Sequence, residues 1–100
     1  MRRKILFFSH AQLTLLDLFL DNKKRALGVT EITEKTAIKG ESLGGLISSF
    51  VRTKYRGQSL IQPWGRDRNG IGMRWKINPK AINLELAQRE VNMLLKEHQA

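Results

Sequence analysis

Apolar and polar positions near the start of the chain follow the period of an α-helix. The apolar residues of the segment 13–20 recur at intervals of three and four. Ser9 and Gln12 have the spacing of a capping box, in which each side chain bonds to the backbone N–H of the other residue. The pattern predicts a helix from Ser9 to about Lys24, preceded by a short strand or an extended packing segment at residues 5–8.

Two further helices are predicted in the middle of the chain. Thr30 is placed to cap a short helix over residues 31–36. After a turn at residues 37–40, apolar residues at i, i+3, i+4 and i+7 predict a helix from Glu41 to Thr53. This apolar stripe consists of Leu43, Leu46, Ile47 and Phe50. Two helices joined by so short a turn form a helix-turn-helix.

The pattern changes to a period of two over residues 60–77, which predicts a β-hairpin. Asn69-Gly70 is the favoured dipeptide of a two-residue type I′ turn. A turn there sets Trp64 opposite Trp75 and gives the return strand one apolar face. That face consists of Ile71, Met73, Trp75 and Ile77. We expect the two tryptophans to belong to the core, because an opposed aromatic pair on a sheet face is usually buried.

A last helix is predicted from Pro79 to about His98, with Asn78 as its cap. Its apolar residues occupy more than one helical face, which is more than packing against a small domain requires. The helix is therefore a candidate dimerisation element, and a homodimer is expected.

The order of these elements resembles the winged helix-turn-helix superfamily of DNA-binding proteins. The resemblance spans about residues 13–77 and is carried by Val29–Thr36 (VTEITEKT), the Ile38-Lys39 turn, the apolar stripe and the hairpin. The chain departs from the usual pattern in the interior pair Gly44-Gly45 and in the long connection 53–59.

The resemblance implies an α+β fold that is mostly α. Its parts are a three-helix core and a β-hairpin wing, with an added long C-terminal helix. The implied organisation is a basic N-terminal arm 1–8, a winged helix-turn-helix domain 9–78 and a C-terminal helix 79–100. In the family, the equivalent of helix 41–53 enters the major groove and the hairpin, here 60–77, contacts the backbone or minor groove.

Positive charge is concentrated in one part of the chain. The sequence has 18 Lys and Arg against 9 Asp and Glu, a net charge of +9, so a polyanion is the expected partner. Residues 52–80 hold eight basic residues against the single acid Asp67, a net of +7. The basic residues are Arg52, Lys54, Arg56, Arg66, Arg68, Arg74, Lys76 and Lys80. Clustering of charges of one sign favours a surface that neutralises nucleic-acid phosphates over an ordinary solvated surface.

The polar face of helix 41–53 carries mostly small residues. Long side chains that reach base edges are missing until Arg52, so binding weighted toward phosphate and DNA shape is expected. Gly44 and Gly45 either permit close approach of DNA or let helix 9–24 pack tightly, and the sequence leaves both open. The predicted nucleic-acid-binding residues are Lys39, Glu41, Ser42, Gly44, Gly45, Ser48, Ser49, Arg52, Lys54, Arg56, Arg66, Arg68 and Arg74.

Other classes of function lack candidate residues. The chain has no cysteine, and its two histidines, His10 and His98, lie at opposite ends, so neither a metal site nor a cofactor is expected. No phosphate-binding loop or nucleophile motif is present, which argues against an enzyme, and no small-molecule effector is indicated. No apolar run reaches the roughly 20 residues of a membrane-spanning helix. A cytoplasmic, nucleoid-associated protein is expected.

Double-stranded DNA binding by a small transcriptional regulator is the leading hypothesis. A homodimer would set two copies of helix 41–53 about 34 to 36 Å apart, as a palindromic site requires. Two alternatives stay open: an RNA-binding protein that uses the basic hairpin, and a winged-helix protein–protein interaction module that binds no nucleic acid.

Overall fold

The computed structural model describes residues 8–66 and 72–99. In these ranges the chain forms four helices, a three-stranded antiparallel sheet and a separate two-stranded hairpin. The helices are α1 (His10–Asp21), α2 (Val29–Thr36), α3 (Gly40–Arg52) and α4 (Leu84–Gln99). The strands are β1 (Leu27–Gly28), β2 (Lys54–Tyr55), β3 (Gln58–Ser59), β4 (Ile61–Arg66) and β5 (Met73–Ile77). The expected α+β, mostly helical composition is confirmed. Most of the basic arm 1–8, most of the extended segment 5–8, the Asn69-Gly70 turn and Arg68 lie outside the described residues.

Helix α1 begins where the capping box predicts. The Ser9 hydroxyl accepts a hydrogen bond from the Gln12 backbone N–H at 3.2 Å, and the Gln12 side chain accepts one from the Ser9 N–H at 2.8 Å. The predicted end at Lys24 is wrong by three residues. Asn22 closes the helix instead, because its side-chain amide donates to the Leu18 carbonyl at 2.9 Å and its backbone N–H bonds back into the last turn.

Helices α2 and α3 are joined by the three residues 37–39. Helix α2 starts at Val29, so the prediction that Thr30 caps it is wrong; the cap position is Gly28, whose backbone is extended because it pairs in strand β1. The helix ends at Ala37, which has a left-handed backbone with a φ of 63°. Helix α3 starts and ends within one residue of its predicted bounds.

The sheet has the strand order β1-β5-β4. The register of β4 and β5 differs from the prediction at the end of the hairpin that is distant from its turn. Ile61 pairs with Ile77 and Pro63 pairs with Trp75, so the prediction that Trp64 lies opposite Trp75 is wrong. Toward the tip, Arg66 pairs with Met73 in the predicted register, and an irregularity between Pro63 and Arg66 accommodates the extra residue.

The displaced register separates the two tryptophans. Trp75 is half-buried and packs against the core, as expected, whereas Trp64 is 49% exposed. The prediction that Trp64 is a core residue is therefore wrong. Met73, on the face predicted to be apolar, is also exposed.

The connection 53–59, which we expected to be a loop, contains the β2–β3 hairpin. Lys54 pairs with Ser59 and Tyr55 with Gln58. The turn residues Arg56 and Gly57 both have positive φ angles, 54° and 76°. Positive φ at both central residues is the requirement of a type I′ hairpin turn, which glycine meets without strain and arginine does not.

Helix α4 begins at Leu84, so the predicted start at Pro79 is wrong. The Asn78 side chain accepts a bond from the Lys80 N–H at 3.0 Å and forms only a local turn; Asn83 supplies the equivalent bond at the start of α4. Helix α4 packs along α1, and Gln88 donates to the Asp17 carboxylate across this contact at 3.0 Å. The buried residues of α4 are Ala87, Val91 and Leu94.

Candidate nucleic-acid interface

One long face of α3 is directed away from the core. Helical spacing sets five exposed residues along it, opposite the buried side that includes Leu43, Ile47 and Phe50. We call this the outer face of α3, and it consists of Glu41, Gly44, Gly45, Ser48 and Arg52. The middle of the outer face carries no side chain larger than that of serine.

The two glycines of the outer face are not required by packing inside the domain. A Cβ atom built at Gly44 or at Gly45 meets nothing within 4 Å. The interpretation that these glycines let α1 pack tightly is therefore wrong. Glycine in a helix interior costs about 1 kcal/mol per residue relative to alanine, and no contact among the described residues offsets that cost.

Three other predicted residues of this region lie beside the outer face. Lys39, at the cap position of α3, and Ser42, in its first turn, are exposed. Ser49 is half-buried and its hydroxyl accepts a bond from the Gln12 side chain of α1 at 3.2 Å. Ser49 thus lies against α1 and contributes to the joint between α1 and α3.

Basic residues continue from the end of α3 into the β2–β3 hairpin. Arg52 lies in the last turn of α3 and is exposed. The Lys54 ammonium donates to the Ser59 hydroxyl at 2.7 Å across the hairpin. Arg56 is exposed in the turn itself. The structure therefore holds these three cations in adjacent elements at one end of α3.

The β4–β5 hairpin carries three more of the basic residues, Arg66, Arg74 and Lys76. Arg66 is exposed at the last described position of β4. Arg74 is half-buried, and its Nε is buried without a hydrogen-bond partner among the residues described. The Lys76 ammonium lies 4.4 Å from the ring centroid of Trp64, within the range of a cation–π interaction.

Acidic residues are distributed differently. Residues 9–51 carry five basic and five acidic side chains, and residues 81–100 carry two basic and three acidic ones. Glu31 of α2 is paired with Arg25 and Lys35. The hydrogen bond from Arg25, together with Lys35, holds the pKa of the Glu31 carboxyl below its usual value. Within the described ranges, no acid forms an ion pair with Arg52, Arg56, Arg66, Arg74, Lys76 or Lys80.

Burial affects one titratable group next to this surface. Tyr55 of β2 is buried, and the loss of hydration raises the pKa of its phenol to about 12. The buried side chain joins the β2–β3 hairpin to the hydrophobic core.

A shallow open groove of about 440 Å³ lies between the start of α1 and the turn that joins α2 to α3. Its lining residues are Ala11, Ala37, Ile38, Lys39, Ser42 and Leu46. The lining brings together no set of acidic or metal-ligating side chains. Across residues 8–66 and 72–99, no three His, Cys, Asp or Glu side chains lie close enough to hold a metal ion. No helix in these ranges is long and apolar enough to cross a membrane.

Two features of the surface were missed by sequence reasoning. The first is the β2–β3 hairpin, and the second is the exposure of Trp64. A signal for the second was present, because glycine within a strand often marks a bulge, and Gly65 follows Trp64 directly. Gly65 has a φ of 84°, a conformation that strand residues other than glycine avoid.

No protein-family model, curated protein or solved structure matches the chain.

Proposed function

We propose that the protein binds double-stranded DNA as a small transcriptional regulator of the winged helix-turn-helix type. In this proposal the outer face of α3 lies in the major groove, and the β4–β5 hairpin, within the segment 60–77, acts as the wing. The observation that carries the proposal is the net charge of +7 on residues 52–80. Its exposed cations Arg52, Lys54, Arg56 and Arg66 lie at the end of α3 and on two hairpins beside it.

The arrangement of α2, a three-residue turn and α3 supports this docking. A recognition helix must present a side that the domain itself does not use, and the outer face of α3 is such a side. With glycine and serine at its centre, α3 offers few donors or acceptors to base edges. We therefore expect Arg52, Arg56 and Arg66 to contact phosphates, with sequence preference coming mainly from DNA shape.

A second copy of the chain is part of the proposal. Leu86 and Met93 of α4 are seven residues apart on one face and are 50% and 48% exposed, while Ala87 and Val91 pack inward. The exposed pair supports a homodimer formed through α4, with each copy supplying one recognition helix to a palindromic site. We further propose that the protein has no catalytic activity, needs no cofactor, and works in the cytoplasm at the nucleoid.

A mobility-shift experiment tests the proposed function. The intact chain is compared on duplex DNA, single-stranded DNA and structured RNA at two salt concentrations. Duplex DNA should bind most tightly, and raising the salt should weaken binding steeply. Tighter binding to structured RNA would favour an RNA-binding protein, and binding to none of the three would favour a protein–protein interaction module.

The variant Arg52→Ala tests whether the end of α3 contacts the ligand. Removing one phosphate contact should weaken binding to all duplex sequences about equally and reduce the salt slope by about 1. The matched control is Lys24→Ala, which removes the same charge from an exposed position between α1 and β1. If the two variants behave alike, net charge and not the surface at α3 determines the affinity.

A further inference from the structure

The outer side of the β4–β5 hairpin carries an exposed aromatic ring among cations. Side chains alternate along β5, so Arg74 and Lys76 point away from the core-facing residues Trp75 and Ile77. Trp64 lies on the same outer side as Lys76. The Lys76 ammonium lies over the Trp64 ring, 4.4 Å from the ring centroid. Close to half of the Trp64 side chain is nevertheless exposed.

The backbone is arranged to hold Trp64 there. The irregularity between Pro63 and Arg66 inserts one residue and shifts the register, and Gly65 makes this possible with its φ of 84°. The guanidinium of Arg74 lies against this bulge, since a Cβ at Gly65 would stand 3.2 Å from its Nη2 atom. The Nε of Arg74 is buried there without a partner among the described residues. A bulge, an unpaired buried polar atom and an exposed tryptophan thus coincide at one place.

We propose that Trp64 is a stacking site for an unpaired nucleobase adjoining the DNA duplex, with Lys76 and Arg74 facing the phosphates that flank that base. The inference rests on the proposed function, because it adds a site for single-stranded DNA beside the duplex held by α3. Trp64 has no role in the duplex contacts assigned above.

The geometry selects an unpaired base over a paired one. Away from the ends of a duplex both faces of every base are covered by its neighbours, so a tryptophan ring can reach only base edges and sugars. An unpaired base has a free face and can stack on the ring, and stacking on aromatic side chains tolerates any base. The Lys76 ammonium, 4.4 Å from the ring centroid, adds attraction for the adjoining phosphate.

The test compares one duplex in three forms: blunt-ended, with a short 5′ overhang and with a short 3′ overhang. The first unpaired position carries 2-aminopurine, whose fluorescence falls when it stacks. The intact chain should bind one overhang form about tenfold more tightly than the blunt duplex and quench the probe. Trp64→Ala should lose the preference and the quenching but keep its affinity for the blunt duplex within about twofold, whereas Trp64→Phe should retain most of the preference.

The control variant is Met73→Ala, which removes an exposed apolar side chain from the opposite side of the same hairpin. It should leave the overhang preference unchanged. Equal affinity of the intact chain for blunt and overhang duplexes would overturn the stacking site while leaving duplex binding intact. An equal loss by Trp64→Ala on all three forms would also overturn it, because Trp64 would then be a duplex contact. Absence of binding to every form would refute the proposed function itself.

Discussion

Replacing Gly44 and Gly45 by alanine should change stability and DNA binding in opposite directions. Both residues lie in the interior of α3, have no atom within 4 Å of an added Cβ and do not adopt positive φ. Each alanine therefore gains the difference in helix propensity, about 1 kcal/mol, with no steric cost inside the domain. The double variant should have a free energy of unfolding about 2 kcal/mol higher, which raises the Tm of a domain of this size by about 8 to 16 °C.

The same two methyl groups should weaken DNA binding. They stand on the outer face of α3, where the proposal brings the helix backbone close to the groove. We expect the affinity for duplex DNA to fall at least about tenfold, which corresponds to about 1.4 kcal/mol. Thermal unfolding followed by circular dichroism gives the first quantity, and fluorescence anisotropy of a labelled duplex gives the second.

Gly57→Ala is the control for the stability argument. Its Cβ also meets nothing within 4 Å, but its φ of 76° is unfavourable for alanine, so this variant should lose about 1 kcal/mol. A lower Tm in the Gly44→Ala/Gly45→Ala variant would show that the surface of α3 is in contact with another part of the protein. A higher Tm with unchanged DNA affinity would refute the close approach of α3 to DNA.

Three further predictions concern the buried asparagine, the single tyrosine and the fourth helix. Asn78→Ala should lower the free energy of unfolding by about 1 to 3 kcal/mol in urea titration, because it removes the 3.0 Å bond from the buried Asn78 amide to the Ser59 carbonyl; a change below about 0.5 kcal/mol would contradict this. Tyr55, the one tyrosine, should titrate by absorbance near pH 12 in the folded chain and near pH 10 in urea. Because the pKa is raised in the folded chain, the contribution of Tyr55 to stability is complete below pH 10 and is lost as the pH rises toward 12. Titration near pH 10 in the folded chain would argue against the burial of Tyr55. Leu86→Glu with Met93→Lys should convert a dimer into a folded monomer in sedimentation equilibrium, whereas an intact chain that is already monomeric at micromolar concentration would refute dimerisation.

The sequence was sufficient for the elements whose signals are local. The capping box at Ser9 and the apolar stripe of α3 depend on neighbouring residues only, and both are confirmed. The start of α2 was not predictable in this way. Gly28 is held extended by pairing with Arg74, which is 46 positions further along the chain, and this pairing decides where the helix begins.

The prediction of the sheet register was wrong for a related reason. A two-residue turn fixes the register only if both strands are regular, and the bulge after Pro63 breaks that condition. One inserted residue moves the side chains that precede it in β4 to the other face of the sheet. The predicted burial of Trp64 is therefore wrong, whereas the predicted pairing of Arg66 with Met73 is confirmed.

The candidate site was also predictable only in part. The charges of residues 52–80 are read directly from the sequence. The β2–β3 hairpin that carries some of these charges could not be predicted from the sequence. Its turn has Arg56 at a positive φ, and arginine gives no turn signal. The place of Ser49 against α1 likewise depends on a bond to Gln12 from a distant segment.

The most direct test of duplex binding is the slope of the logarithm of the binding constant against the logarithm of salt concentration. If Arg52, Arg56 and Arg66 each neutralise one phosphate, the slope should be about −2.7 or steeper. The double variant Arg66→Ala/Arg68→Ala should bind more weakly and have a shallower slope, by about 1 for each phosphate contact removed. A binding constant that does not change with salt, or an unchanged affinity in the folded double variant, would contradict DNA binding through this surface.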